Sequence, residues 1–297
     1  MGDAHVDLLD RALSSLIDRP GGKSCSEIII GWNGKDNIAL SDACQVACLG
    51  PEALKFAAEP AMAEVHFDSC GIKYCLFRQK WSGDFAAARQ ETYVRATQEW
   101  VGYFDLDDVL AMPNDPQVME SIQSDSPLGG LESLGPIEAQ SLEHRLARVP
   151  LHINCIYAPY HYVVSDTAKP LVRTRRPRFV RRDPLWLWAK EFHEVWGHVL
   201  GRQFGLYDAG ILLIHKPVLT LEERSERNYQ ILDKQVLSLE RQNVPISGDL
   251  IFGMASRKLG SGDTVEAAEL YLKSADRTPD SEERLLYLGM AARCFML

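Results

Sequence analysis

The sequence has no apolar run approaching the roughly 20 residues a membrane-spanning helix requires, no Cys-x-x-Cys pair and no surplus of cations. Each absence excludes something. Without an apolar run, no membrane association is expected. With 32 lysines and arginines against 41 aspartates and glutamates, the formal charge is −9. General nucleic-acid binders need surplus cations over the phosphates, so no nucleic-acid partner is expected. The cysteines number seven and lack tight spacing, which fits reduced thiols in the cytoplasm better than a disulfide framework. Cys44 and Cys48 read as buried structural thiols. Asp3, Asp7, Asp10 and Asp18 rule the N-terminus out as a secretory signal.

What is present describes a folded enzyme-sized chain. At 297 residues it suits one large domain or two small ones. Hydrophobic content of 46% with 25% charged residues is ordinary for a globular protein. Leu8, Leu9, Ala12, Leu13, Leu16 and Ile17 mark one face of an amphipathic first helix. Residues 27–31 read as a strand closed by the Asn33-Gly34 turn, and helices are expected at 41–49 and 51–58. Residues 65–67 and 72–77 read as a hairpin around Asp68-Ser69-Cys70-Gly71. Asp84 caps a helix expected from 85 to about 104, and residues 112–135 form a Pro-, Ser- and Gly-rich loop. A helix at 137–148 precedes a strand pair, 151–157 and 160–164. Helices are then expected at 186–205 and 221–242. The last 45 or so residues resemble one tetratricopeptide-like helix pair, too few for a solenoid. The expected fold is α+β, mostly α-helical, with a small antiparallel sheet and a C-terminal helical hairpin. Its regions are an N-terminal α+β part, 1–125, and a helical metal-site part, 136–297, which can also pack as one domain.

A local anomaly interrupts the acidic balance. Arg173, Arg175, Arg176, Arg178, Arg181 and Arg182 fall within ten residues. They read either as a charged, protected edge strand or as a means of holding an anionic group on a small-molecule substrate, with Arg176 and Arg178 as the binding residues.

The chemistry-bearing run is Glu191-Phe192-His193-Glu194-Val195-Trp196-Gly197-His198-Val199. Two of eight histidines lie five residues apart with a glutamate beside the first. Neutral imidazoles are good ligands for zinc or iron. On a regular helix the i, i+5 spacing turns the two side chains about 140° apart. A shared metal therefore requires a widened helix, which Gly197 would ease. His193-Glu194-Val195-Trp196-Gly197-His198-Val199 resembles the His-[Glu/Asp]-x-x-Gly-His-Val motif of the aromatic amino acid hydroxylases over about ten residues. The resemblance implies that His193 and His198 bind non-haem iron(II) and that a carboxylate further along the chain completes the site; Glu240 is the nearest match. His193, Glu194, His198, Val199 and Leu200 also resemble the motif of metallopeptidases that include tubulin tyrosine carboxypeptidases. That implies zinc, Glu194 as general base, and a third ligand among Glu222, Glu223 and Glu226. Asp208 is a further carboxylate.

The function expected is an iron-dependent monooxygenase hydroxylating a small aromatic or amino-acid-like substrate. Glu194 is the catalytic candidate, His193, His198, Glu223 and Glu240 the metal-ligand candidates, and Arg176, Arg178 and Trp196 the substrate-binding candidates. Trp186, Trp188, Phe192 and Trp196 would supply a water-poor wall. The rival expectations are a zinc metallopeptidase or amidohydrolase, a haem-dependent aromatic hydroxylase and a non-enzymatic helical interaction module. For the haem reading, bacterial tyrosine hydroxylases are similar in chain size, and the arginine cluster would pair with the propionates. Homo-oligomerisation is compatible with each. His66, His144, His152, His161 and His215 are each expected to be structural, with His152 and His161 nearest the basic segment.

Overall fold

A computed structural model describes residues 4–17, 25–34, 37–80, 84–111, 142–163, 170–189, 195–201, 205–207, 211–215, 221–278 and 281–296. The chain divides into two compact units, Met1–Val218 and Leu219–Leu297. The loop expected to carry a domain boundary, 112–135, lies outside the described residues.

The first unit begins with α1 (Ala4–Ile17), β1 (Glu27–Trp32), α2 (Asn37–Val46), α3 (Pro51–Ala58), β2 (Glu64–Ser69) and β3 (Ile72–Arg78). Strand β3 lies between the other two, antiparallel to β2 and parallel to β1. The hairpin turn is Cys70-Gly71, both with positive φ (50° and 70°), the twist that a two-residue loop needs to match the flanking strands. Leu9 and Leu13 of α1, Leu40 of α2 and Phe56 of α3 bury one face of this sheet with Tyr74 and Leu76.

Asp84 caps α4 (Phe85–Tyr93) by accepting the Ala87 N–H at 2.9 Å. The helix is shorter than its sequence suggests. Arg95 donates to the Glu91 carbonyl at 2.7 Å and closes its end. Trp100 and Val101, residue types that favour a pleated surface, then enter β4 (Trp100–Gly102). There follow β5 (Asp108–Ala111), α5 (Leu142–Ala147), β6 (Cys155–Val163), β7 (Pro170–Arg181), β8 (Trp186–Ala189), β9 (Val195–His198), β10 (Gly205–Tyr207) and β11 (Leu212–His215).

Six of these strands make one mixed sheet, ordered β4-β7-β6-β11-β5, with β10 also on β6. The β11–β6 and β10–β6 pairs are parallel and the others antiparallel. This overturns the small antiparallel sheet expected. The two short strands read at 151–157 and 160–164 are instead the single strand β6, and its partner is the arginine-rich β7. Leu16 of α1 and Leu142 of α5 pack on this sheet with Leu110, Ile156, Tyr160 and Leu213.

The helix expected at 186–205 is also absent from its described part. β8 and β9 form an antiparallel hairpin with Trp188 opposite Trp196 and Trp186 opposite His198. The signal was a period of two: Trp186 is 0% exposed, Leu187 44% and Trp188 8%. The tryptophans join Tyr93, Cys155 and Val180 in a third core cluster.

The second unit holds four described helices: α6 (Leu221–Arg241), at the place of the helix expected over 221–242, and then α7 (Gly248–Gly260), α8 (Thr264–Asp276) and α9 (Ser281–Cys294), three where a helix pair was expected. Ser247 and Asp263 cap α7 and α8 through the N–H groups of Leu250 and Glu266. Small residues, Ala255, Ala267, Ala268 and Ala291, let these helices close around Tyr271. Among the described residues no helix is long and apolar enough to cross a membrane.

Candidate functional site

The mixed sheet gathers charge at one end. The Asp105-Leu106-Asp107-Asp108 turn delivers Asp108 to the start of β5, in register with His215 at the end of β11. The Asp108 N–H donates to the Asp105 carbonyl at 2.9 Å, and the Asp108 carboxylate accepts the Asp105 N–H at 3.1 Å. The turn is thus fixed by the residue it presents.

Asp108 is fully buried and its carboxylate is saturated. Oδ1 accepts from the Tyr160 hydroxyl at 2.9 Å and faces His215 Nδ1 at 3.0 Å. Oδ2 faces the Arg178 guanidinium at 3.2 Å as well as the Asp105 amide. Burial alone would raise the Asp108 pKa. The His215 hydrogen bond and the Arg178 charge outweigh it and hold the carboxyl below its usual value. An ionised Asp108 accepts, so His215 Nδ1 carries the proton and Nε2 is the acceptor nitrogen of the ring.

His215 Nε2 lies 3.5 Å from Asp107 Oδ2. Asp107 is partly exposed, yet burial pushes its pKa up against the lowering pull of His215. Two carboxyls adjacent in sequence are therefore driven in opposite directions by their surroundings, the arrangement that separates an acid from a permanent counter-ion.

Arg178 is buried between the rings of Tyr103 and Tyr160, 4.3 and 4.2 Å from their centroids, and donates to the Tyr103 carbonyl at 3.2 Å. Burial disfavours its charge; Tyr103 and Asp108 more than offset this and raise its pKa. Arg176 approaches the other side of the cluster, 5.8 Å from the Tyr160 ring, and among the described residues no carboxylate pairs with it.

The donor atoms of Asp107, Asp108 and His215 lie within 4.8 Å of one another. A cation would nevertheless find Asp108 already surrounded by four donors, leaving Asp107 Oδ2 and His215 Nε2. Two donors beside a guanidinium favour proton transfer over metal binding.

Among the described residues, no sequence-derived metal-ligand or catalytic candidate joins this cluster. His193 and Glu194 lie outside the described residues, as do Asp208 and Phe192. His198 is on a strand, so the helical spacing argument does not apply to it. Its ring packs edge-on against Trp186 at 5.2 Å, Nδ1 accepts the Leu200 N–H at 3.3 Å, and Nε2 faces Asp183 Oδ2 at 3.6 Å. Both ring nitrogens thus have protein neighbours. Trp196 is buried against Trp188 and Tyr103. Glu223, Glu226 and Glu240 are exposed on α6 of the second unit. Of the two arginine candidates, Arg178 is engaged by Asp108, while Arg176 has no carboxylate partner among the described residues.

His215, Asp107 and Asp108 were missed because no local spacing marks them: 107 residues separate Asp108 from His215. The faint signal was a double aspartate opening a strand and a histidine ending one. Comparison of the chain with protein-family models and with curated proteins gives no match.

Proposed function

We propose that this protein is an enzyme that moves a proton at His215, acting on a small substrate with a carboxylate or phosphate group. Asp108 is the positioning residue: it fixes the imidazole tautomer and balances the charge that appears when Nε2 takes a proton. Asp107 is the acid at the same nitrogen, and Arg176 is the cation for the substrate's anionic group. The reaction class is general acid–base catalysis, in which His215 activates water or a substrate hydroxyl and Asp107 returns a proton to the leaving group. This reading is hydrolytic, nearer to the amidohydrolase expectation than to the oxygenase one; it keeps Arg176 as the substrate cation and takes its proton-transfer residues from elsewhere. The observation that carries it is the buried Asp108–His215 pair with Nε2 turned toward a carboxyl whose pKa is raised. Seven cysteines, none joined in a disulfide, suit a cytoplasmic setting for the reaction.

Two measurements test it. Nitrogen chemical shifts of labelled histidine should report His215 as the Nδ1–H tautomer; the Nε2–H tautomer sinks the proposal. In a screen of small carboxylate-bearing esters and phosphate esters, His215→Gln should lower kcat by about 10²–10⁴-fold. Turnover that survives this change within tenfold would equally end it. Arg176→Ala should raise KM more than it lowers kcat.

A further inference from the structure

A second group of ligand-type side chains lies on the β2–β3 hairpin and plays no part in the His215 chemistry. Glu64 and His66 alternate along β2 and so share one face of the sheet. His66 stands opposite Cys75 of β3 in the antiparallel register. One ligand atom from each of the three lies within 4.8 Å of the other two.

We propose that Glu64, His66 and Cys75 form a binding site for a zinc-class divalent ion. The donor set is one oxygen, one nitrogen and one sulfur. Thiolate and imidazole select zinc and its neighbours over magnesium and calcium, which take oxygen ligands. Three protein ligands leave a fourth tetrahedral position. The His66 side chain is 68% exposed, so that position faces solvent.

The surroundings already orient the carboxylate. Arg95 donates to Glu64 Oε2 at 2.9 Å, while Oε1 is turned to His66 Nε2 at 2.7 Å. Monodentate binding through Oε1 therefore leaves the Arg95 bond in place as an outer support of the ligand. Arg95 is itself anchored over the Phe77 ring at 3.8 Å and by the Glu91 carbonyl. Six consecutive residue pairs from Glu64 to Ser69 hold the two strands in register, so the donor spacing is set by the hairpin.

Loading requires the Cys75 proton to leave. Burial, then the nearby Glu64 charge, push the Cys75 thiol up to about 11, so it is protonated when metal-free. On loading, the S–H bond breaks, the metal–sulfur bond forms and the proton leaves to solvent. The imidazole binds through Nε2 as the neutral Nδ1–H tautomer. Glu64 and the thiolate then neutralise the dication, while Arg95 keeps its bond to Glu64 Oε2 and its ion pair with Glu91.

The test is titration of the full chain with cobalt(II), followed by absorption. One equivalent should produce a thiolate-to-cobalt charge-transfer band and the intense visible bands of a four-coordinate ion, and zinc should bleach both. Cys75→Ser should abolish the charge-transfer band, whereas Cys48→Ser and Cys70→Ser, at exposed thiols, should keep it. His66 is exposed, so His66→Ala should fold and bind cobalt about 100-fold more weakly or worse, given that losing even outer supports costs 10–100-fold. A titration without a charge-transfer band, a band that survives Cys75→Ser, or unchanged affinity in His66→Ala would each overturn the site.

Discussion

Replacing Arg178 with methionine should be the most damaging single change in the mixed sheet. The Arg178 side chain is 2% exposed and its partner Asp108 is 0% exposed, so no water can take over the lost contact. Removing one member of a buried ion pair typically costs about 3–5 kcal/mol, because the other charge stays buried without its counter-ion. Asp108 would still have Tyr160, His215 and the Asp105 amide, which favours the lower end. Against that, the Tyr103 carbonyl loses a hydrogen bond worth about 1 kcal/mol. Tyr103 and Tyr160 also lose cation–π contacts that a desolvated site makes worth up to about 2 kcal/mol each. Methionine fills much of the volume, so the cavity contribution stays small. A net loss of about 4 kcal/mol, divided by a urea slope of about 2 kcal/mol per molar, should lower the midpoint by about 2 M. All six tryptophans belong to the unit Met1–Val218, so tryptophan fluorescence follows that unit's unfolding directly. Asp108→Asn should also destabilise, and the double variant should lose less than the sum of the two, with a coupling above about 2 kcal/mol. A loss below about 1 kcal/mol for Arg178→Met, or strict additivity, would refute the reasoning.

The two neighbouring carboxyls should respond to pH with opposite signs. Asp108 has a lowered folded pKa, so its stabilisation is present above its unfolded pKa and disappears as pH falls through the folded one; Asp107, with a raised pKa, weakens the fold as pH rises through its folded value. Asp107→Asn should therefore raise Tm at pH 7 and leave it unchanged near pH 3, as scanning calorimetry would show; a lower Tm at pH 7 would contradict the burial argument. Gly248→Ala places a methyl 2.2 Å from Thr278 Oγ1 and 2.9 Å from the Ser274 carbonyl. It should cost about 1–3 kcal/mol by overpacking, visible in the helical circular dichroism while the tryptophan transition stays put. His198→Ala removes an edge-on contact with Trp186 and should cost about 0.5–1.5 kcal/mol. If iron analysis of the purified protein instead falls from one equivalent to none with this variant, the ring's role is ligation and not hairpin packing.

What was legible in the sequence was local. The amphipathic α1, the Asp68–Gly71 hairpin and the Asp84 cap are written in short patterns, and the structure contains all three. The run 186–200 was misread because its histidines suggested a ligand helix, while Trp186, Leu187 and Trp188 alternate with a period of two. A buried aromatic strand and an aromatic helix face can share a composition; only the period separates them. The mixed sheet was illegible for another reason. Its parallel β6–β11 pair joins Tyr160 to Leu213, and its β5–β11 pair joins Asp108 to His215, contacts that no short-range pattern encodes. The site rests on those pairings, so it was invisible for the same reason.

The arginine cluster shows how much a linear reading can carry. As a sequence feature it offered two roles for six equal charges, and the fold assigns the described ones unequally. Arg181 reaches Glu99 and the carbonyls of Val149 and Ile153. Arg178 belongs to Asp108. Arg89, from a different segment, lies 4.9 Å from the Trp188 ring and 4.7 Å from Tyr103, which Arg178 also faces. Beyond Arg178 comes Tyr160, and then Arg176. Cations and rings alternate as Trp188, Arg89, Tyr103, Arg178, Tyr160, Arg176. Ring faces hold a guanidinium without consuming its N–H groups. Carboxylates do consume them: Asp105 takes Arg89 at 2.7 Å and Asp108 takes Arg178. Arg176, at the end of the row, lies 5.8 Å from the Tyr160 ring, and among the described residues no carboxylate pairs with it. Between Arg178 and Arg176 stands Tyr160, whose hydroxyl donates to the carboxylate that faces His215 Nδ1. The same stack thus brings the rings, Arg178 and the carboxylate that faces His215 Nδ1 into one buried cluster, with Arg176 5.8 Å from the Tyr160 ring.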